Sequence, residues 1–168
     1  MSLVFRKAAP SDLPQVLEIY AHARAFMRQS GNPNQWGSHH PAESVLQADI
    51  FSGRLYLGEE NGKIEAVFAY LQGVDPTYVR IYEGHWLNDE PYGVIHRIAV
   101  ATPGKGSAAR CFDWALRQCQ NLRIDTHRDN KPMQQALKKQ GFQYCGIIYL
   151  ANGDERIAFQ KSIAKTGA

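Results

Sequence analysis

The sequence predicts a mixed α/β domain spanning residues 1–168, with antiparallel strands first, a β-α-β-α unit next and a closing hairpin. Three observations predict it. Asn61-Gly62 lies between two apolar runs, the strongest short signal for a β-hairpin. From Tyr92 to His127 the texture alternates strand, glycine turn, helix and strand, and a helical crossover makes its two strands parallel neighbours. A last turn, Ala151-Asn152-Gly153-Asp154, separates two further apolar runs.

Each element has a local chemical cause. Leu3–Lys7 reads as a short strand. Ser11 offers an N-cap oxygen to a first helix in which Leu13, Val16, Leu17, Tyr20 and Ala21 recur at helical spacing. Pro14 sits in its first turn, where a missing N–H does no harm, and the helix runs to about Arg28. Residues 30–41 are a loop by their glycines, prolines and asparagines. A second helix covers Ala42–Asp49 and stops at Ser52-Gly53. Leu55–Glu59 and Ile64–Gln72 form the first hairpin. Tyr78–Tyr82 is expected as a strand, and Asn88-Asp89-Glu90-Pro91 as a turn. Tyr92–Val100 is a strand, Thr102–Gly106 a loop and Ser107–Gln120 a helix. Leu122–His127 is a strand, and Lys131–Gln140 a helix stopped by Gly141. Phe142–Leu150 and Arg156–Lys161 make the last hairpin. There is no linker and no internal repeat, so one domain is expected.

Composition narrows the function classes. Apolar residues are 44% and charged residues 21% of the chain, both ordinary for a globular domain, which argues against disorder. A net charge of +3 admits an anionic ligand but lacks the basic stripe of a nucleic-acid binder. Three cysteines (Cys111, Cys119, Cys145) with no C-x-x-C pair argue against a disulfide framework and for a reducing compartment. The first residues lack a signal peptide's apolar core, and no run approaches the roughly 18 apolar residues of a membrane span. A cytoplasmic protein without membrane or nucleic-acid partners is expected.

The segment most capable of chemistry is Val100-Ala-Thr-Pro-Gly-Lys-Gly-Ser-Ala108. A glycine turn between a strand and a helix start makes an anion site, because free N–H groups point outward and the helix dipole adds about half a positive charge. Gly104 and Gly106 permit close backbone approach, and Lys105 adds a point charge. The bland alternative is a tight turn that binds nothing. A P-loop is excluded, because Gly104-Lys105 is followed by Gly106 and the first-glycine position is Ala99. A Rossmann fingerprint fits poorly, since the loop follows antiparallel strands and precedes only one further parallel strand.

With these residues the chain resembles the GNAT acetyltransferase superfamily. Its members place a strand ending in Val before a loop with Gln or Arg, two residues, Gly, one residue, then Gly or Ala. A helix comes next, then a strand and an Asn-led helix ending in Gly-Phe. Here Gly106-Ser107-Ala108 matches the loop's end, Asn130 opens the later helix and Gly141-Phe142 closes it. Ile95–Val100 and Arg123–His127 look like one bacterial branch of the superfamily. The resemblance covers nearly the whole chain and implies the acyl-CoA N-acyltransferase fold, a central mixed, mostly antiparallel sheet flanked by helices. It implies acetyl-CoA as co-substrate, no metal, and contacts from Ile98, Val100, Gly104, Lys105, Gly106, Ser107, Ala108 and Asn130. Three features depart from the pattern. Pro103 stands at the Gln/Arg position, the loop is about two residues short, and Leu137 occupies the place of a tyrosine proposed to protonate the leaving thiolate.

Acetyl transfer to an amine needs a base, a donor for the developing oxyanion and a proton for the thiolate. A backbone N–H on the strand before the loop can serve as the donor. His96 is the leading base, on a strand face shared by alternation with Val94, Ile98 and Val100, or else it is a bonded core histidine. Asp125 and His127 emerge on one face of the parallel strand with Arg123, so that a carboxylate can orient an imidazole. Otherwise they form a solvated edge with an Asp–Arg pair. Tyr20, Gln35, Trp36, Tyr82 and Trp86 offer aromatic walls for an acceptor, or rim packing. Cys145 is expected as a buried small hydrophobe, and Cys111 and Cys119 as packing residues. His39-His40 lacks the spaced partners of a metal site.

The expected activity is direct N-acetylation of a primary amine of a small molecule or peptide, by a monomer or homodimer. The rival is a non-catalytic CoA-binding sensor of the same fold.

Overall fold

A computed structural model of the chain describes residues 2–163. Its elements are β1 (Val4–Lys7), α1 (Leu13–Gln29), α2 (Glu43–Phe51), β2 (Leu55–Glu60), β3 (Lys63–Gln72), β4 (Gly93–Val100), α3 (Ser107–Gln118), β5 (Asn121–Thr126), α4 (Lys131–Lys139), β6 (Gln143–Tyr149) and β7 (Glu155–Ser162). The strands lie in the order β1-β2-β3-β4-β5-β7-β6. β4 and β5 pair in parallel at Gly93–Leu122 and Val94–Arg123, as the crossover demands, whereas β1–β2, β2–β3, β5–β7 and β6–β7 pair antiparallel. This is the mixed, mostly antiparallel sheet expected of the fold.

The chain divides into two compact units. Of the described residues, one takes 2–70 together with His96–Cys111, and the other takes Leu71–Ile95 together with 112–163.

In the first unit, Val16, Ile19 and Tyr20 repeat at helical spacing and bury one face of α1. That face packs with Leu46 of α2 and with Leu55, Leu57 and Val67 of the sheet. Burying each such aliphatic side chain contributes about 1.5–3 kcal/mol. Asn61 (φ 53°) and Gly62 (φ 77°) form the two-residue turn between paired Glu60 and Lys63, the left-handed pair that this hairpin type needs. The start of α1 corrects the N-cap expected at Ser11. A 3₁₀ turn, Pro10–Asp12, precedes the helix, and Asp12 takes the N-cap position without a side-chain cap bond. Its carboxylate is engaged elsewhere, by Arg6 at 2.8 and 2.9 Å and by the Ala9 N–H at 2.7 Å.

In the second unit, Tyr78, Tyr92, Val94, Ile148 and Ala158 form one cluster of the core. Tyr78–Tyr82 is not the expected strand. Pro76–Tyr78 is a 3₁₀ turn whose Asp75 carboxylate accepts from the Thr77 N–H (2.8 Å) and hydroxyl (2.6 Å), and Tyr82 makes a single bridge to Ile147. The chain then runs so close to β6 that a Cβ on Gly84 would lie 1.9 Å from the Cys145 carbonyl oxygen. Polar side chains hold Leu87 and Asn88. Asn121 donates to Asn88 (2.9 Å), and Gln160 donates to Asn121 (2.7 Å) and accepts from the Leu87 N–H (2.8 Å).

Candidate active site

The first unit contains the strand–loop–helix segment, from His96 on β4 through residues 101–106 to the start of α3. Gly104 (φ 85°) and Gly106 (φ 78°) both take the left-handed conformation that an L side chain resists. A Cβ on Gly104 would meet nothing within 4 Å, and one on Gly106 only the Arg110 guanidinium at 3.7 Å. Open space therefore lies where the turn would present its backbone to a ligand. Ser107 and Ala108 open α3, so the loop runs directly into the positive end of the helix dipole. Lys105 leans on carboxylates. Its Nζ lies 3.4 Å from Glu65 Oε1 and 3.8 Å from Glu60 Oε2. Glu65 is buried, and its other oxygen has no hydrogen-bond partner among the described residues.

Upstream of the loop, β4 does not alternate simply. Arg97 has φ 52°, a left-handed value that costs a non-glycine residue on the order of 1–3 kcal/mol and persists only where its surroundings over-determine it. Those surroundings are explicit. Asp49 of α2, with no exposed surface, accepts from Arg97 at 2.8 and 2.9 Å and from Arg54 at 2.7 Å. The Tyr20 hydroxyl donates to the Arg97 carbonyl at 2.6 Å. Burial pushes the Tyr20 phenol well above its ordinary value, so it stays a donor. The kink interrupts the alternation that would place His96, Ile98 and Val100 on one face. His96, Ile98 and Val100 are each half-buried, and Ala99 is buried.

Tyr20 has no exposed surface, so its ring is part of the core and does not wall an open cleft. Trp36 packs against it with ring centroids 5.6 Å apart and is partly exposed, and Gln35 accepts from Asn32 at 2.8 Å.

In the second unit, the Asp125 carboxylate accepts the Tyr78 hydroxyl at 2.6 Å. Tyr78 is buried, and desolvation together with Asp125 holds its phenol well above the ordinary value. His127 Nδ1 accepts the Asp129 N–H at 3.0 Å, with the Asp129 carboxylate 3.6 Å away. The neutral ring then carries its proton on Nε2. Burial first, then the Arg156 charge, keeps His127 neutral to lower pH than an ordinary histidine. Arg123 is buried, with its guanidinium carbon 4.0 Å from the Tyr92 ring centre and 4.2 Å from that of Trp86, and it donates to the Asn88 carbonyl at 2.8 Å. This rules out the alternative reading of a solvated Asp–Arg edge. Asn130 caps α4 through the Met133 N–H at 3.1 Å, as its position at the helix start predicts. Leu137 is fully buried, and Cys145 is buried with its thiol donating to the Gln143 carbonyl. Tyr82 and Tyr149 meet edge to face and, with Pro76, Thr77, Val79 and Arg80, line a cavity of about 370 Å³.

Among the described residues, no group of three or more His, Cys, Asp or Glu is gathered as a metal site, and no helix is long and apolar enough to cross a membrane.

No protein-family model and no curated protein matches the sequence. Solved structures do. The chain is similar to a GNAT-family acetyltransferase of Streptococcus agalactiae, at 32% identity over 97% of this chain and 96% of that one, with a TM-score of 0.85. The chain belongs to the GNAT acetyltransferase family. Two other members share the GNAT fold at lower identity. A GNAT-family acetyltransferase of Listeria monocytogenes has 20% identity, coverage of 96% and 95%, and a TM-score of 0.70. A phosphinothricin acetyltransferase of Sinorhizobium meliloti, in complex with acetyl-CoA, has 14% identity, coverage of 98% and 90%, and a TM-score of 0.64. Within this GNAT chain, Asp49, Glu65, Arg97 and Tyr78 are the residues that sequence reasoning passed over. A lone acid inside the apolar run Ile64–Tyr70 was a readable sign for Glu65. Nothing local marks Arg97 as left-handed.

Proposed function

We propose that the protein is an acetyl-CoA-dependent N-acetyltransferase that moves the acetyl group directly onto a primary amine of a small molecule or peptide. The observation that carries this reading is GNAT membership at 32% identity over nearly the whole chain, joined to a left-handed glycine turn at the start of α3. The residues fit the co-substrate. The space over Gly104 and Gly106 gives a pyrophosphate room to approach the backbone, and Ser107 and Ala108 offer helix-start N–H groups.

Acetyl-CoA when bound supplies an activated thioester. His96 takes the amine proton, and a backbone N–H of β4 beside Ile98 faces the developing negative charge. His127, protonated on Nε2 in its neutral form, suits donation better than proton abstraction, and Asp125 is held in place by Tyr78. The Tyr82 cavity has the size of a small acceptor's surroundings and two aromatic rings in its lining. A leucine at position 137 favours a second reading, a CoA-binding sensor without catalysis, because its hydrocarbon side chain supplies no proton.

Thiol release from acetyl-CoA against a panel of amines separates the two. Amine-dependent release that falls at least about tenfold in His96→Ala supports the enzyme. Tight CoA binding without release for any amine supports the sensor, and full turnover in His96→Ala overturns the assignment of the base.

A further inference from the structure

We infer that Tyr20 and Asp49 are positioning residues that hold the left-handed kink at Arg97 and so fix the direction of the Ile98 N–H toward the acetyl oxygen. The inference rests on the acetyltransferase reading above and deepens it.

The geometry begins with the peptide between Arg97 and Ile98. In a trans peptide the C=O and N–H point in opposite directions. The Arg97 carbonyl is tied to the Tyr20 hydroxyl at 2.6 Å, on the side of the α1 core. The Ile98 N–H of the same plane is therefore turned away from Tyr20. Arg97 supplies the kink that allows this, and a φ of 52° is not its own preference.

Two independent anchors impose it. From α1 comes the Tyr20 bond to the main chain. From α2 comes Asp49, which grips the Arg97 guanidinium with both oxygens at 2.8 and 2.9 Å while Arg54 holds the same carboxylate from another direction. Tyr20 and Asp49 have no exposed surface, so neither bond is exchanged with water. Packing alone would not call for a buried acid with two arginines here, since apolar residues of similar volume are usually as stable. A requirement for one backbone direction explains it.

The test compares wild type with Tyr20→Phe, which keeps the ring and removes the donor. Titrating ¹⁵N-labelled protein with CoA and with acetyl-CoA reads the amide signals. In wild type, acetyl-CoA is expected to shift the Ile98 amide more than CoA does. In Tyr20→Phe that difference disappears, the shifts at Gly104 and Gly106 persist, and kcat falls by roughly tenfold or more with little change in KM for acetyl-CoA. Arg97→Gly provides the second variant, because glycine takes a positive φ without the clamp. It is expected to keep a larger share of kcat than Tyr20→Phe. An unchanged Ile98 response and unchanged kcat in Tyr20→Phe overturn the inference while leaving the acetyltransferase reading intact. Parallel losses in Gly104, Gly106 and Ile98 shifts also overturn it, by showing a merely structural role. If wild type binds neither ligand, the reading itself fails and the inference falls with it.

Discussion

Two buried carboxylates of the first unit, Asp49 and Glu65, sit in opposite circumstances. Asp49 meets two guanidiniums within 2.9 Å, with both of its oxygens engaged. Glu65 has a single cation at 3.4 Å and an oxygen with no hydrogen-bond partner among the described residues. Asp49 belongs to the framework that shapes β4. Glu65 touches the glycine loop through Lys105, the residue that the loop's own sequence would devote to an anion. A saturated ion network holds one backbone arrangement. An unsaturated one leaves its cation free to change partners, because little is lost when Lys105 moves from a long contact to a phosphate.

Mutation can separate the two carboxylates. The largest effect is expected at Asp49→Ala, which strands Arg97 and Arg54 around an empty site. Urea unfolding should show a loss of about 3–5 kcal/mol, the usual result of removing one member of a buried ion network. A loss under about 1 kcal/mol would place Asp49 outside the framework.

Glu65→Gln should act in the other direction. Removing a partly unsatisfied buried carboxylate is expected to leave stability unchanged or raise it by about 1 kcal/mol. Lys105 is then released toward the loop. CoA should bind several-fold more tightly at low salt, with a steeper loss of affinity as salt rises. Weaker CoA binding in this variant would mean that Glu65 orients Lys105 for its ligand.

The smallest effect concerns the second unit, where His127 is held neutral by burial and the Arg156 charge. Its folded value lies below its ordinary one near 6.5, so the unfolded chain binds the proton more readily. This contribution to stability is present above pH 6.5 and is lost as the pH falls through the folded value. Melting temperatures should therefore drop more steeply on mild acidification in wild type than in His127→Gln. Identical pH profiles would show that His127 has no such role.

Much of this fold was legible because its signals are local. Asn61-Gly62 fixes a turn within two residues, Asn130 caps the helix it starts, and the helical crossover from β4 to β5 returns the chain for parallel pairing. The glycine loop was readable for the same reason. Residues 74–91 were not, since their conformation is set by partners far along the chain. Asn88 is held by Asn121, Gln160 accepts from the Leu87 N–H, and Gly84 lies under the Cys145 carbonyl. The kink at Arg97 depends on Tyr20 and Asp49, 77 and 48 residues away. Periodicity placed Arg123, Asp125 and His127 on one strand face, but it could not show that two aromatic rings would cover Arg123 or that Tyr78 would engage Asp125.

Everything proposed for this chain depends on the loop from Gly104 to Ala108 holding acetyl-CoA. Isothermal titration of the full chain with acetyl-CoA tests it most directly. Saturable binding of one ligand per chain is expected, with Kd below about 1 mM, weakened at least tenfold by Gly106→Val, which adds a branched side chain to a left-handed turn. No binding heat with acetyl-CoA at millimolar concentration, under conditions where the protein is folded, would contradict it.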